Sequence, residues 1–244
     1  MITLISAGIR STYRNMAVAL TWVSLTLFLG AVVVIVGLRT VIAPAIAGEL
    51  DPAKLPGYLA LLTYGAVFIA TGLNLNVFTA QPLIRDKKKH VLESVLATPV
   101  PVRRVWFARS LSVFLPGMLI GTAAGIVSLL IWNGQLTAHG MEVTLTPVGI
   151  VVAFAIVQVL YFALSLLVHL VGLAANAVTG NVIAQISLQA IVASMVNLGI
   201  HGIVVPDSWL FVLIHVAAAA AAGIATVAAL RMLTKERIVL SART

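Results

Sequence analysis

The sequence contains no cysteine. Disulfide bonds, cysteine-ligated zinc and thiol catalysis are therefore excluded for these residues. Charge is also scarce, because Asp, Glu, Lys and Arg make up only 9% of the 244 residues. An ordinary soluble domain has about a quarter. Acidic residues are the rarest charged groups, with 7 Asp and Glu against 15 Lys and Arg. Few side chains are therefore available for carboxylate chemistry.

Hydrophobic residues are abundant instead, at 61% of the chain. A soluble globule of this size cannot hide that much apolar surface, because much of a small protein is in contact with solvent. A lipid bilayer must therefore surround most of the chain. This composition excludes a cytosolic enzyme, a secreted disulfide scaffold and a disordered tail.

Long apolar segments predict the membrane spans, because a helix needs about 20 apolar residues to cross the hydrocarbon. Residues 143–206 contain no Asp, Glu, Lys or Arg and are too long for one helix, so the small and polar segment 172–180 is predicted as a turn. The pattern predicts one all-α transmembrane domain, 1–244, a polytopic membrane protein with six transmembrane helices at about 17–38, 58–80, 111–132, 148–171, 181–198 and 209–230.

The first span has a signal peptide as its alternative. The apolar run from Met16 to Leu38 exceeds the usual 7–15-residue core of a signal peptide. We therefore expect an uncleaved helix.

The positions of the Lys and Arg residues predict the orientation. The N-terminal segment, the second loop and the C-terminus hold two, seven and four of them, whereas the first loop holds only Arg39 and Lys54. Cytoplasmic loops of membrane proteins are enriched in Lys and Arg. The sequence thus predicts a multi-pass plasma-membrane protein with both termini in the cytoplasm. The excess of positive charge is then a feature of membrane orientation, and no nucleic-acid partner is expected.

The N-terminal segment 2–16 is too polar to span a bilayer. Its apolar residues recur at helical spacing, and a separate face carries Thr3, Ser6, Arg10 and Arg14. This pattern is typical of a helix that lies in the membrane interface with its arginines at anionic lipid headgroups. The alternative is an ordinary cytosolic lead-in to the first span.

The second loop, residues 81–109, contains a further helical pattern. Val91, Leu92, Val95 and Leu96 form an apolar stripe, and Pro99 and Pro101 prevent the helix from continuing. We expect a short amphipathic cytoplasmic helix from about Asp86 to Ala97.

Three lysines at 87–89 would then occupy the first turn of that helix, where the helix dipole disfavours cations. Anionic lipid or an acidic partner surface would have to stabilise them. The alternative is that these lysines only set the membrane orientation.

The same loop resembles that of ABC-2-type permeases, the membrane subunits of a class of ABC exporters. Their loop has a charged run followed by Gly-Thr, Leu-Glu, a small or polar residue, two aliphatic residues, one further residue and then Thr/Ser-Pro. Leu92-Glu93, Val95-Leu96 and Thr98-Pro99 fit this pattern, whereas His90 and Val91 replace Gly-Thr. Six spans, cytoplasmic termini and an N-terminal interfacial helix are also similar, so the resemblance covers nearly the whole chain.

The resemblance implies that the loop forms a coupling helix between spans two and three, which docks on a separate cytosolic ATPase. It implies two ATPase copies, which bind ATP and Mg²⁺, and a second permease protomer, either identical or a sister chain. The present sequence has no phosphate-binding loop of the G-x-x-x-x-G-K-[ST] type, so we expect neither a cofactor in this chain nor an enzymatic activity of its own. The implied coupling residues are Arg85, Asp86, Lys87, Lys88, Lys89, His90, Leu92, Glu93, Leu96, Thr98 and Pro99.

Uncharged amides occur within the predicted spans, where they are costly in lipid and must face protein or water. In ABC-2-type permeases the substrate path lies mainly between helices one, two and five of two protomers, so these amides are candidates for its lining. The alternative is that they only form hydrogen bonds between helices. The candidate path residues are Asn74, Asn76, Asn181, Gln185, Gln189 and Asn197.

The remaining patterns indicate packing. Gly117, Gly121 and Gly125 recur every fourth residue, which lets another helix approach closely. No two histidines have the spacing of metal ligands on one helix, so no metal site is predicted. Their expected role is hydrogen bonding between helices.

The predicted function is therefore that of a permease subunit of an ATP-driven exporter. Uncharged amides on an otherwise apolar path would suit a drug-like, lipid-like or other amphiphilic substrate. The lack of acidic residues deep in the spans argues against proton- or sodium-coupled transport. The alternative is a membrane scaffold or assembly factor that recruits a cytosolic partner through its basic loop without transport.

Overall fold

The computed structural model describes most of the chain, with the backbone alone at residues 80 and 81. The described residues are 1–89, 91–175, 179–180, 182–183, 185–187, 190–191, 194, 205 and 207–241.

The described residues form helices and contain no strand. The helices with defined bounds are α1 (Ile2–Tyr13), α2 (Met16–Ile46), α3 (Leu55–Lys88), α4 (Val91–Leu96), α5 (Val102–Ala138), α6 (Pro147–Ala174), α7 (Trp209–Ala229) and α8 (Lys235–Leu240). Five of them, α2, α3, α5, α6 and α7, are long and apolar enough to cross a membrane. This confirms the prediction of an all-α fold with helices that can span a membrane.

The long helices overlap five of the six predicted spans but extend beyond most of the predicted ends. Helix α2 continues to Ile46 through a π-helical turn, Leu38–Ile42, and the chain leaves it at Gly48, which has a φ of 74°. Helix α5 is likewise followed by Gly140, with a φ of 75°. Glycine adopts this left-handed conformation without strain and commonly ends a helix. The predicted span 181–198 lies largely outside the described residues.

The predicted start of the loop helix at Asp86 was wrong. Helix α3 continues through Asp86 to Lys88, and α4 begins only at Val91. Lys87 and Lys88 therefore lie in the last turn of a helix, where the dipole favours cations. The sequence suggested that an external anion must offset an unfavourable helix dipole at these lysines. No such anion is needed, because the C-terminal end of α3 itself stabilises them.

Two buried clusters define the two ends of the bundle. At one end, α3, α4, α5, α6 and the C-terminal segment share a cluster formed by Leu83, Leu92, Leu96, Trp106, Leu170, Leu173, Leu233 and Ile238. At the other end, the last turns of α2 and α5 pack on the first turns of α3 around Ile42, Leu55 and Trp132. The hydroxyl of Thr146, which precedes α6, donates to the Asp207 carboxylate before α7 and joins these two helix starts at that same end.

Charge is divided unequally between these ends. The first end carries most of the described cations and is called the basic end below. The opposite end holds only Arg39 and Lys54, together with four of the seven acidic residues. The basic end holds Arg10, Arg14, Arg85, Lys87, Lys88, Lys89, Arg103, Arg104, Arg109, Arg231, Lys235 and Arg237.

The glycine face of α5 packs against α3. A side chain at Gly121 would meet the Thr71 methyl group, and its Cβ would lie 3.2 Å from the Val67 carbonyl oxygen. Gly125 likewise lies against the Val67 side chain, and Gly117 against Asn74 and Tyr161. The glycines therefore permit the close helix approach that their spacing predicts.

Candidate functional site

Helix α4 lies against the basic end of the bundle. Leu92 and Leu96 are buried among side chains of α3, α5, α6 and the C-terminal segment, whereas Ser94 and Ala97 are exposed. The bundle therefore supplies the packing partner that the apolar stripe of α4 requires. The exposed side of this short helix is a surface that another protein could contact.

A buried carboxylate joins the two long helices that flank α4. Asp86 on α3 is 3% exposed, and its Oδ2 accepts a hydrogen bond from Arg109 Nη2 on α5 at 2.6 Å. Arg85 Nε lies 3.5 Å from Asp86 Oδ1. Breaking a buried ion pair leaves an uncompensated charge and is costly. The pair therefore fixes the end of α3 to the start of α5.

Helix α8 crosses the basic end and holds α4 from the other side. Lys235 Nζ donates to the carbonyl oxygen of Leu96, the last residue of α4, at 2.6 Å and to that of Thr98, two residues later, at 3.4 Å. Ile238 is buried in the same cluster as Leu92. A cation at a helix C-terminus satisfies carbonyl groups that lack helical donors.

The other end of α8 is fixed to α3 and α6. Lys87 Nζ donates to Ser241 Oγ at 2.9 Å and to the Ala175 carbonyl oxygen at 3.2 Å. Ser241 Oγ in turn donates to the Leu173 carbonyl oxygen at 3.1 Å. We call α8 with these contacts the C-terminal strap. It links the loop helix to the ends of α3, α6 and α7.

The predicted coupling residues differ in how much of each side chain is exposed. The buried members are Asp86, Lys87, Leu92 and Leu96, which face the bundle. Arg85 and Glu93 are half-buried, and His90 lies outside the described residues. The exposed members, which a partner could contact directly, are Lys88, Lys89, Thr98 and Pro99.

The N-terminal helix α1 is attached to the bundle. Arg85 Nη2 donates to the Ser11 carbonyl oxygen at 2.6 Å, and Gly8 lies against Ser112 of α5. Arg10 and Arg14 are exposed, as expected for a polar face at lipid headgroups. The face that packs on the bundle carries small and polar residues, including the buried Thr12, and was not evident in the apolar pattern.

The candidate path residue Asn74 forms the main polar contact inside the bundle. Its Oδ1 accepts a hydrogen bond from the Tyr13 hydroxyl at 2.8 Å. Its Nδ2 lies 2.8 Å from the Val113 carbonyl oxygen and 2.7 Å from the Tyr161 hydroxyl, and donates to both. Asn74 is fully buried and thus joins α1, α3, α5 and α6. Burial raises the pKa of Tyr13, so its hydroxyl remains a donor.

The Val113 carbonyl oxygen of α5 accepts hydrogen bonds from two side chains. One donor is the Asn74 amide described above. Tyr161 also donates to the same carbonyl, at 3.1 Å. Gly117 leaves the room for both side chains, since any Cβ there would collide with them.

The other candidate path residues are less defined by the structure. Asn76 is half-buried, and its Oδ1 has no hydrogen-bond partner among the described residues. Gln185 is exposed at the surface of this single chain. Asn181, Gln189 and Asn197 lie outside the described residues. The contacts of Asn74 correspond to the hydrogen bonding between helices that the sequence left as an alternative.

One histidine also bonds between helices. The Tyr64 hydroxyl of α3 lies 2.7 Å from His215 Nε2 of α7, within an aromatic cluster that includes Phe211. The sequence predicts this role for the histidines but does not identify their partners. Tyrosines within apolar spans were the available signal, because a buried hydroxyl usually has a hydrogen-bond partner.

Comparisons with known proteins give no further assignment. No family model matches the chain, and neither a curated protein nor a solved structure matches it. The features that bear on function are therefore the loop pattern and the geometry of the basic end.

We expect Asn74→Ala to lower the free energy of unfolding by roughly 2 kcal/mol, because it removes three hydrogen bonds and leaves buried partners unpaired. Asn76→Ala is the matched control on the same helix, since its oxygen has no partner among the described residues. Titration of the purified protein with sodium dodecyl sulfate measures both. Equal effects of the two substitutions would contradict the structural role of Asn74.

Lys235→Ala should loosen the end of α4, because the carbonyls of Leu96 and Thr98 lose their donor. We expect amide hydrogen exchange in residues 91–98 to accelerate about fivefold, which corresponds to a loss of about 1 kcal/mol. Arg237→Ala, at an exposed position on the same helix, is the control and should leave exchange unchanged. The same exchange rate in both variants would mean that the strap does not hold α4.

Proposed function

We propose that this protein is the membrane permease subunit of an ATP-driven exporter whose ATPase is a separate cytosolic protein. The observation that carries the proposal is the position of α4. One side of this loop helix is buried against four parts of the bundle, and the other side is exposed among cations. The pattern around Leu92-Glu93 and Thr98-Pro99 gives independent support through its resemblance to ABC-2-type permeases.

The route of the chain supports six membrane crossings. Helix α6 ends at the basic end with Leu173, and α7 begins near Asp207 at the opposite end. The chain between them must return across the bundle, and the apolar segment 181–198 has about the length that a span requires. Ile183 and Ile191 pack against the buried core formed by α3, α6 and α7, which is consistent with this return.

The unequal charge supports the orientation. The basic end would face the cytoplasm of a plasma membrane, because Lys and Arg are retained on that side. Both termini and α4 would then be cytoplasmic, and Arg10 and Arg14 would lie near anionic headgroups.

The contacts of α4 provide a route for movement into the bundle. A partner that pushes α4 acts on α6 through the buried leucines and on α7 through the C-terminal strap. It also acts on α3 and α5, which the Asp86–Arg109 pair holds together. Because the chain has no phosphate-binding loop, the partner supplies the ATP and Mg²⁺ sites and the energy.

The complex would contain two permease protomers and two ATPase subunits, since one set of six helices forms half of the pathway in the resembling family. We infer an amphiphilic substrate, drug-like or lipid-like, because the spans are apolar and carry amides rather than charges. A scaffold that recruits a cytosolic partner without transport is the rival function. The experiments below separate the two.

The cysteine-free sequence permits a direct test of the orientation. Ala97→Cys lies next to α4 and Ala138→Cys at the opposite end, and both positions are exposed. In intact cells, a membrane-impermeant maleimide should label Ala138→Cys and leave Ala97→Cys unlabelled until the membrane is opened. The reverse pattern would overturn both the orientation and the exporter.

The coupling proposal predicts that Glu93→Ala reduces transport together with the stimulation of ATP hydrolysis by this subunit. We expect a loss of about tenfold, equivalent to about 1.4 kcal/mol of coupling. Proteoliposomes that contain the protein and its co-purified ATPase, with a fluorescent amphiphile as cargo, provide both measurements.

Glu142→Ala is the matched control, because Glu142 is an exposed carboxylate at the opposite end. Transport that is unchanged by Glu93→Ala would contradict the coupling role. A stable complex that hydrolyses ATP but moves no cargo would favour the scaffold.

A further inference from the structure

A cavity lies beneath the loop helix, separate from the candidate substrate path. Its volume is about 170 Å³, it is partly open to the surface, and it is lined by α1, α4, the neighbouring ends of α3 and α5, and His169 of α6. Most of its lining is apolar, including Ala7, Val91, Val95 and Ala108. An apolar cavity of about 150 Å³ is large enough to bind a six-carbon ring.

One wall of the cavity is charged. Asp86 and Arg109 both line it, and Arg85, which lies outside the lining, is 3.5 Å from the same carboxylate. The two guanidinium groups and the carboxylate together carry one positive charge in excess. The Arg109 side chain is only 20% exposed, and its hydrogen bond to Asp86 uses one of its five N–H donors. The remaining donors can bind an anion at this wall.

These two properties together define the class of ligand. A small inorganic anion would leave the apolar walls without a partner, and a plain hydrocarbon would leave the guanidinium groups unused. A molecule with an anionic head and a hydrocarbon chain satisfies both. The hydroxyl group of Thr12, which also lines the cavity, can donate to such a head.

We propose that this cavity binds the head and adjoining chain segment of an anionic amphiphile, either a fatty acid or an acidic phospholipid. The head lies at Arg109, and the chain packs beneath α4 against Val91 and Val95. Because it touches both α1 and α4, the ligand stabilises the loop helix in its docked position. The position of the cavity at the cytoplasmic headgroup level rests on the proposed orientation, whereas its lining and charge do not.

The test uses the full-length protein, without any ATPase, in a neutral maltoside detergent. Radiolabelled oleate and its uncharged analogue oleyl alcohol are the probes, and equilibrium binding is measured. We expect oleate to bind at least tenfold more tightly than the alcohol. Oleate should also slow amide hydrogen exchange in residues 91–96.

Ala7→Phe places a ring in the cavity from an exposed position on α1, so folding should be preserved. We expect it to weaken oleate binding at least tenfold. Ser6→Phe is the control, because Ser6 is also exposed on α1 but does not line the cavity. It should bind oleate as the unchanged protein does.

Competition then identifies the source of the ligand. Displacement of oleate by phosphatidylglycerol, but not by phosphatidylcholine, would support an acidic phospholipid as the occupant. Failure of both phospholipids to compete would support a free fatty acid. Equal binding of oleate and oleyl alcohol, or unchanged oleate binding by Ala7→Phe, would overturn the proposal. Because no ATPase is present, such a failure leaves the exporter proposal untouched.

Discussion

Polar groups inside an apolar solvent must find partners within the protein, and this constraint organises the bundle. Asn74 meets it most completely, because one side chain joins four helices through Tyr13, Val113 and Tyr161. Water cannot compete for these groups in a bilayer, so each helix that supplies a partner is held in register with the others. The glycine face of α5 permits the necessary approach, since bulkier residues would separate α3 from α5.

At the basic end, charged side chains satisfy buried or unpaired polar groups. Twelve of the described cations lie there, yet those nearest the bundle are not free surface groups. Lys87 and Lys235 bind carbonyl oxygens at the ends of α6 and α4, and Arg109 binds the buried Asp86. The same residue types therefore do two kinds of work. The cations that bind carbonyl oxygens or Asp86 fasten the loop helix to the bundle, and under the proposed orientation the remaining cations of this end face the cytoplasm.

Because cations of the same type have both roles, the sequence could locate the loop but could not show which of its residues are buried against the bundle and which are exposed. Leu92-Glu93 and Thr98-Pro99 identified the loop, and the apolar stripe predicted a helix that needs a packing surface. The stripe could not reveal that α3 runs on to Lys88, because helical propensity continues smoothly through the charged run. Nor could it reveal the C-terminal strap, since Lys235 and Leu96 are 139 residues apart in sequence.

The sequence by itself determined the membrane class, the approximate spans, the glycine packing face and the segregation of charge. Each of these depends on local composition or on spacing along one helix, which a single chain displays directly. Only the tertiary structure decided which polar groups pair, which lysines are buried, and that a charged cavity lies beneath α4. Those features arise where helices from distant parts of the chain meet, and no local pattern records the distances between them.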